Sequence, residues 1–304
     1  MKGLELSKKY YEEYGRAMIL ETAPQLADRF AAGLAGDGSQ CFGFDDEISR
    51  DHDFAPGFCI WLTDEDFALY GPALQEAYDK LPHEFMGISR RPSDAPGRLG
   101  VRTVSSFYSE FTGCPDGPAA NEEWLMCPET ALAACTNGEI FYDPAGIFTG
   151  IRNRILDFYP EDVLRKKIAA RAAVMAQAGQ YNLPRCLKRG DKVAASLACA
   201  RFTEAALSMI HLLNRRYVPF YKWAFRSACS LEKLSHAAFL LEKLQQDLNP
   251  ETVEKICIMI VDELRMQGFS RSESAFLQDH LADIMSGIAD PEIAALPPMA
   301  DFNF

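Results

Sequence analysis

Along residues 1–150, short apolar runs alternate with stretches whose apolar positions recur every three or four residues; beyond 150 only the second pattern continues. Short apolar runs bounded by glycine or proline predict buried strands, and the 3.6-residue period predicts amphipathic helices. The strand candidates are FAAGLAG (30–36), FCIWL (58–62), GVRTV (100–104) and EIFYD (139–143). Between them, LSKKYYEEYGRAMILETAPQLADRF (6–30) reads as a helix interrupted near Pro24, and DEDFALYGPALQEAYDKL (64–81) as one capped by Thr63 or Asp64. Ser105 is the expected cap of SSFYSEF (105–111), and WLMCPETALAACTNG (124–138) reads as one helix with Pro128 near its first turn and Gly138 after its end. RRPSDAPGRLG (90–100) is a loop.

The second half predicts helices over 159–180, 191–217, 220–234, 249–269 and 270–288, with Asp191 as the cap of the longest, and an irregular tail from 289. Four or five such helices should form a bundle. The expected fold is therefore α+β, or α/β: a mixed sheet with flanking helices over 1–150 and an all-α bundle over 151–304.

Charge changes this picture more than bulk composition does. The net charge of −12 is uneven: residues 1–150 carry 11 Lys/Arg against 25 Asp/Glu, 151–230 carry 15 against 5, and 231–304 carry 5 against 13. A basic block between two acidic ones is either a solvated helix face or a wall of cations that meets an anionic ligand. The nine cysteines form no CxxC pair and sit in apolar contexts such as ASLACARF, which predicts reduced core thiols without a disulfide frame or zinc site. No apolar leader and no bilayer-length apolar run is evident, so a cytoplasmic protein without membrane contact is expected.

The densest chemistry lies in GDGSQCFGFDDEISRDHDF (36–54), which gathers six carboxylates and a histidine around a Gly-Ser pair. Gly38 and Ser39 come directly after a strand candidate and can open backbone N–H groups to an anion. In Asp51-His52-Asp53 an extended backbone would put both aspartates on one face, about 6 to 7 Å apart, and His52 on the other. Two such carboxylates can hold a pair of Mg²⁺ ions, as in-line transfer at phosphorus requires. The acids Asp45, Asp46 and Glu47 either line an acceptor site or, with His52, support the metal ligands. Further on, NRRYVPFYKW (214–223) combines cations and aromatics around a proline bend, which nominates Arg215, Arg216, Tyr217 and Lys222 for phosphate or nucleotide contact.

Gly-Ser followed about a dozen residues later by Asp-x-Asp resembles the signature of the nucleotidyltransferase superfamily that includes DNA polymerase β and the antibiotic nucleotidyltransferases. The longer string GSQCFGFDDEISRDHD is similar to that of a bacterial family filed only as a domain of unknown function, and the likeness extends to FYDPAG, YPEDV and NRRYVPFYKW. The resemblance implies that Gly38 and Ser39 hold the triphosphate and that Asp51 and Asp53 are the catalytic metal ligands. It also implies a third carboxylate on a neighbouring strand, where GVRTV carries Arg102; Glu110, Glu139 and Asp143 are the substitutes.

The implied activity is Mg²⁺-dependent transfer of a nucleoside monophosphate from a nucleoside triphosphate, expected to be ATP, to a hydroxyl. The acidic outer segments would repel a long nucleic acid, so a small acceptor is expected, and a cationic one would suit Asp45, Asp46 and Glu47. Two alternatives stand beside it: a nucleotide-binding regulatory protein without turnover, and a toxin-like enzyme acting on transfer-RNA ends.

Overall fold

The computed structural model describes residues 1–48, 54–90 and 98–300. Asp51, His52, Asp53 and most of the loop 90–100 therefore lie outside the described residues. The fold is α+β with a helical C-terminal region. It divides into one unit of Met1–Ala119 with Ala131–Asp157, and a second of Ala120–Thr130 with Phe158–Phe304.

The first unit is built on a four-stranded mixed sheet. Strands β1 (Ala31–Leu34) and β2 (Cys59–Leu62) are antiparallel, and Ala32 faces Ile60. Helix α1 (Gly3–Tyr10) runs through a wider π turn at Tyr11–Gly15 into α2 (Arg16–Thr22). After β2 the chain enters α3 (Asp64–Asp79), whose first turn is acidic and whose Asp66 N–H donates to the Thr63 hydroxyl. A small ribbon of β3 (Glu84–Phe85) and β4 (Ile88–Ser89) follows, and then β5 (Gly100–Thr103) joins the edge parallel to β2.

Helix α4 (Val104–Thr112) is capped by Thr103, which accepts from Ser106 N–H at 3.0 Å, two residues earlier than the expected Ser105. The four strand candidates of the sequence are all strands, and β6 (Glu139–Tyr142) completes the order β5-β2-β1-β6. Helix α7 (Ile147–Leu156) ends the unit.

Both faces of this sheet are covered, which is why β2 is apolar at every position. Phe58, Ile60 and Leu62 enter a core with Tyr10, Ile19 and Phe30. The intervening Trp61 points the other way, stacking on Phe148 of α7 at 4.1 Å and meeting Phe107 of α4 edge-on at 5.4 Å.

One expected helix is two. Residues 124–138 break at Cys127, which is extended (φ −74°, ψ 122°) because the ring of Pro128 disfavours the helical conformation in the residue before it. Helix α5 (Asn121–Met126) belongs to the second unit, and α6 (Glu129–Cys135) begins after the proline.

In the second unit α8 (Glu161–Met175) is buried almost throughout and passes through a π segment, Ala176–Asn182, into α9 (Leu183–Lys188). It packs on α10 (Lys192–Leu213), capped by Asp191 as expected. Among the described residues α10 is the one helix long and apolar enough to cross a membrane, and 56% of that stretch is buried inside the protein. Helices α11 (Tyr221–Ala228), α12 (Ser235–Gln246) and α13 (Pro250–Met266) follow.

Two expectations near the C-terminus are corrected. The stretch 270–288 is helical only from Leu277, as a 3₁₀ turn at Leu277–His280 and then α14 (Leu281–Ser286). Its serines compete for the backbone, and Asp283 accepts from Arg271 and Ser272 N–H at 2.7 and 3.2 Å, holding that segment out of helix. The tail is not wholly irregular: Asp290 and Pro291 start α15 (Pro291–Ala295), with Asp290 accepting from Glu292 N–H.

Gly138 sits where two backbones of the first unit approach closely. Its φ of +70° is left-handed, and a Cβ there would overlap the backbone carbonyl of Leu34. Gly138→Ala is expected to lower stability by about 3 kcal/mol, strain and clash combined, as read from urea titration of the full chain. An unchanged midpoint would exclude this close approach.

Candidate functional site

The turn after β1 is held by backbone and side-chain hydrogen bonds from two chain segments. Gly36 and Gly38 have φ of +113° and +122°, and the Cys41 N–H donates to the Gly38 carbonyl while the Phe44 N–H donates to that of Ser39. The Gly36 backbone is read by one side chain: Asn137 accepts from its N–H at 2.9 Å and donates to its carbonyl at 2.8 Å. Gly138 N–H donates to the Cys41 carbonyl, and Arg152 reaches the carbonyls of Thr136 and Asn137 from below. Two chain segments, 36–43 and 136–138, are thereby locked to each other.

Over this turn lies Arg98. Its guanidinium donates to the Asp37 carbonyl and occupies the space that a Cβ on residue 38 would fill. Only glycine permits that approach, both sterically and at this φ. The Gly38 and Ser39 N–H groups meet no acceptor among the described residues. A half-buried turn with open amides and a guanidinium beside it is suited to an oxyanion such as phosphate. Cys41, at its base, is no nucleophile: burial pushes its thiol up to about 12, against the pull of Arg98, and Cys59 is raised likewise. None of the nine cysteines forms a disulfide, and six of them are buried.

The nominated acids divide. Asp45 is buried and turned inward, accepting from Gly3 N–H at 3.0 Å and pairing with Lys2 at 3.5 Å. It thereby anchors the start of α1. Asp46 and Glu47 are exposed, and Asp46 also accepts from Ile48 N–H. Of the three substitutes for a third carboxylate, Glu110 pairs with Arg102 and Glu139 with Lys8, each at 2.6 Å, while Asp143 caps α7 by accepting from Gly146 and Thr149 N–H. Glu139 is the one on a strand next to β1, opposite Leu34.

The basic block is not one surface. Lys166, Lys167 and Arg171 are buried inside the second unit, and Lys166 donates to the carbonyls of Pro297 and Pro298. Arg215 pairs with Glu161 at 3.6 Å, Arg216 is exposed, and the exposed Lys222 lies over the Trp223 ring. Tyr217 is 8% exposed and packs against Phe158 and Tyr159, so its ring faces are used in the core.

Sequence reasoning passed over Arg98 and Asn137. Both lay in stretches legible only as punctuation: a Pro/Gly loop, and the Asn-Gly that ends a helix. Among the described residues no group of three or more His, Cys, Asp or Glu could hold a metal ion.

No curated protein and no solved structure matches the chain. Residues 124–224 match a family described as a domain of unknown function (DUF4037), a segment that holds FYDPAG, YPEDV and NRRYVPFYKW but not residues 36–54.

Proposed function

We propose that the protein is a cytoplasmic nucleotidyltransferase that moves a nucleoside monophosphate from a nucleoside triphosphate, ATP first among the candidates, to a hydroxyl of a small acceptor. The acceptor oxygen bonds to the α-phosphorus, the bond to the pyrophosphate oxygen breaks, and the hydroxyl proton leaves to a base. The observation that carries this is the Arg98 guanidinium set over Gly38, beside the Gly38 and Ser39 amides, which meet no acceptor among the described residues. These groups would bind and orient the phosphates, and the missing side chain at 38 keeps the approach clear. A divalent metal, when bound, would neutralise the leaving pyrophosphate; in this scheme it would rest on Asp51 and Asp53, outside the described residues.

The test is pyrophosphate release from labelled ATP with Mg²⁺ in the presence of candidate hydroxyl acceptors and, separately, total RNA. Arg98→Met is expected to raise the nucleotide KM about tenfold or more, since a hydrogen bond from a charged donor is worth about 1.5 to 3 kcal/mol. No release and no calorimetric binding of ATP would remove the proposal. Binding without release would favour the regulatory alternative, for which the engagement of Glu110, Glu139 and Asp143 with partners of their own speaks. Labelled RNA ends would move the acceptor from small molecule to nucleic acid.

A further inference from the structure

The second unit contains a cavity of about 460 Å³, within the range of small-molecule sites. Its floor is a polar triad. Arg171 donates from Nη2 to Glu129 Oε1 and from Nε to Ser208 Oγ, and Ser208 donates to Glu129 Oε2, each at 2.8 Å. All three side chains are at least nine-tenths buried. Above them Leu207, Val218, Pro219 and Ala224 form an apolar wall, with Thr203 and Gln245 adding polar groups to the lining. The mouth carries Tyr221, 75% exposed, and Glu204, whose side chain is 66% exposed with Arg201 3.9 Å away.

Charge and shape together select a ligand. The floor is neutral because Arg171 balances Glu129, so the uncompensated charge of the lining is the carboxylate of Glu204, which an exposed pair at 3.9 Å barely offsets. An anion would meet repulsion from Glu204 at the mouth and, at the floor, the Glu129 carboxylate beside Arg171. An apolar body would exclude water from the walls, and a donor group reaching the floor would find the outer lone pairs of the Glu129 oxygens. We propose that this cavity is a binding site for a compact amine: an apolar, one- or two-ring body seated between α10 and α11 with its ammonium on Glu204. The site stands apart from the nucleotide proposal, since every residue of it belongs to the second unit and none to the turn at Gly38.

Three isosteric probes test it on the full chain by calorimetry: tryptamine, tryptophol and indole-3-acetate. Tryptamine is expected to bind about tenfold more tightly than indole-3-acetate, with tryptophol between them. Glu204→Gln, a surface change that leaves the fold alone, should remove about threefold to tenfold of the tryptamine affinity and leave tryptophol unchanged. Leu207→Trp should fill the cavity and abolish binding of all three. The inference is overturned if none of the probes binds the wild-type chain at millimolar concentration, if indole-3-acetate binds as well as tryptamine, or if Glu204→Gln leaves tryptamine affinity unchanged. Retained binding in a folded Leu207→Trp chain would overturn it too. Should that variant not fold, the Glu204→Gln result decides.

Discussion

The Arg171→Met variant is expected to lose about 3 to 5 kcal/mol of stability, because it leaves the Glu129 carboxylate buried without its charge partner. The side chains of the pair are 2% and 4% exposed, so water cannot take over. Replacing both, as Glu129→Leu with Arg171→Met, should recover most of that loss, since two apolar groups of similar volume carry no desolvation cost. Ser208 then keeps a hydroxyl without its present partners, and adding Ser208→Ala should recover a further part, about 1 kcal/mol.

A second readout separates electrostatics from packing. Burial, reinforced by the like charge of Arg171, holds the Lys167 ammonium down to about 7. Its folded value lies below the unfolded one, so the unfolded chain binds the proton more tightly. The group therefore detracts from stability most below pH 7, and stability rises with pH from about 7 to about 10.5. Removing Arg171 should move the Lys167 titration upward and narrow that window, as seen by NMR of the labelled lysine side chain. A titration that stays near 7 in the single variant would exclude Arg171 as a cause, leaving burial alone.

The double variant Asp51→Asn, Asp53→Asn is expected to lower nucleotidyl transfer about a thousandfold, the scale on which charge stabilisation at a transferring phosphoryl group acts. Both substitutions are isosteric and remove only charge. ATP binding through the turn should fall far less than turnover, so calorimetry and pyrophosphate release are to be measured on the same preparations, with the urea midpoint as a control. If the double variant transfers at the wild-type rate, the Asp-x-Asp pair is not the catalytic centre. Combined with Arg98→Met, it separates the two halves of the proposed site: Arg98 should act on KM, the aspartates on kcat.

Much of the first unit was legible because its signals are local. Four apolar runs became four strands, and the caps at Thr63 and Asp191 were written as threonine or aspartate ahead of an apolar period. Failures came where two local signals competed. Cys127-Pro128 lies inside a helical period, and the steric demand of the proline ring won. In SRSESAF the helical period was real, but Asp283 and the serines satisfied the backbone another way.

The candidate site was half legible for the same reason. Gly38-Ser39 announces a turn by residue type, whereas Arg98, sixty residues on, is one arginine among many until the sheet brings β2 and β5 side by side. Asp45 shows the reverse error. In sequence it is one of six acids in a row of chemistry, but the fold turns it toward Gly3 and Lys2.

What the sequence determined by itself is the class of the fold, the places of the strands and long helices, and the presence of a glycine turn rich in neighbouring acid. These follow from period and steric preference within a few residues. What only the tertiary structure decided is which charges are chemistry and which are scaffold. Lys166, Lys167 and Arg171 counted toward a basic face, yet they are core groups. Burial and pairing depend on residues far apart in the chain, so Glu129 and Ser208 acquire a meaning for Arg171 only when α8 packs against α10 and the first turn of α6.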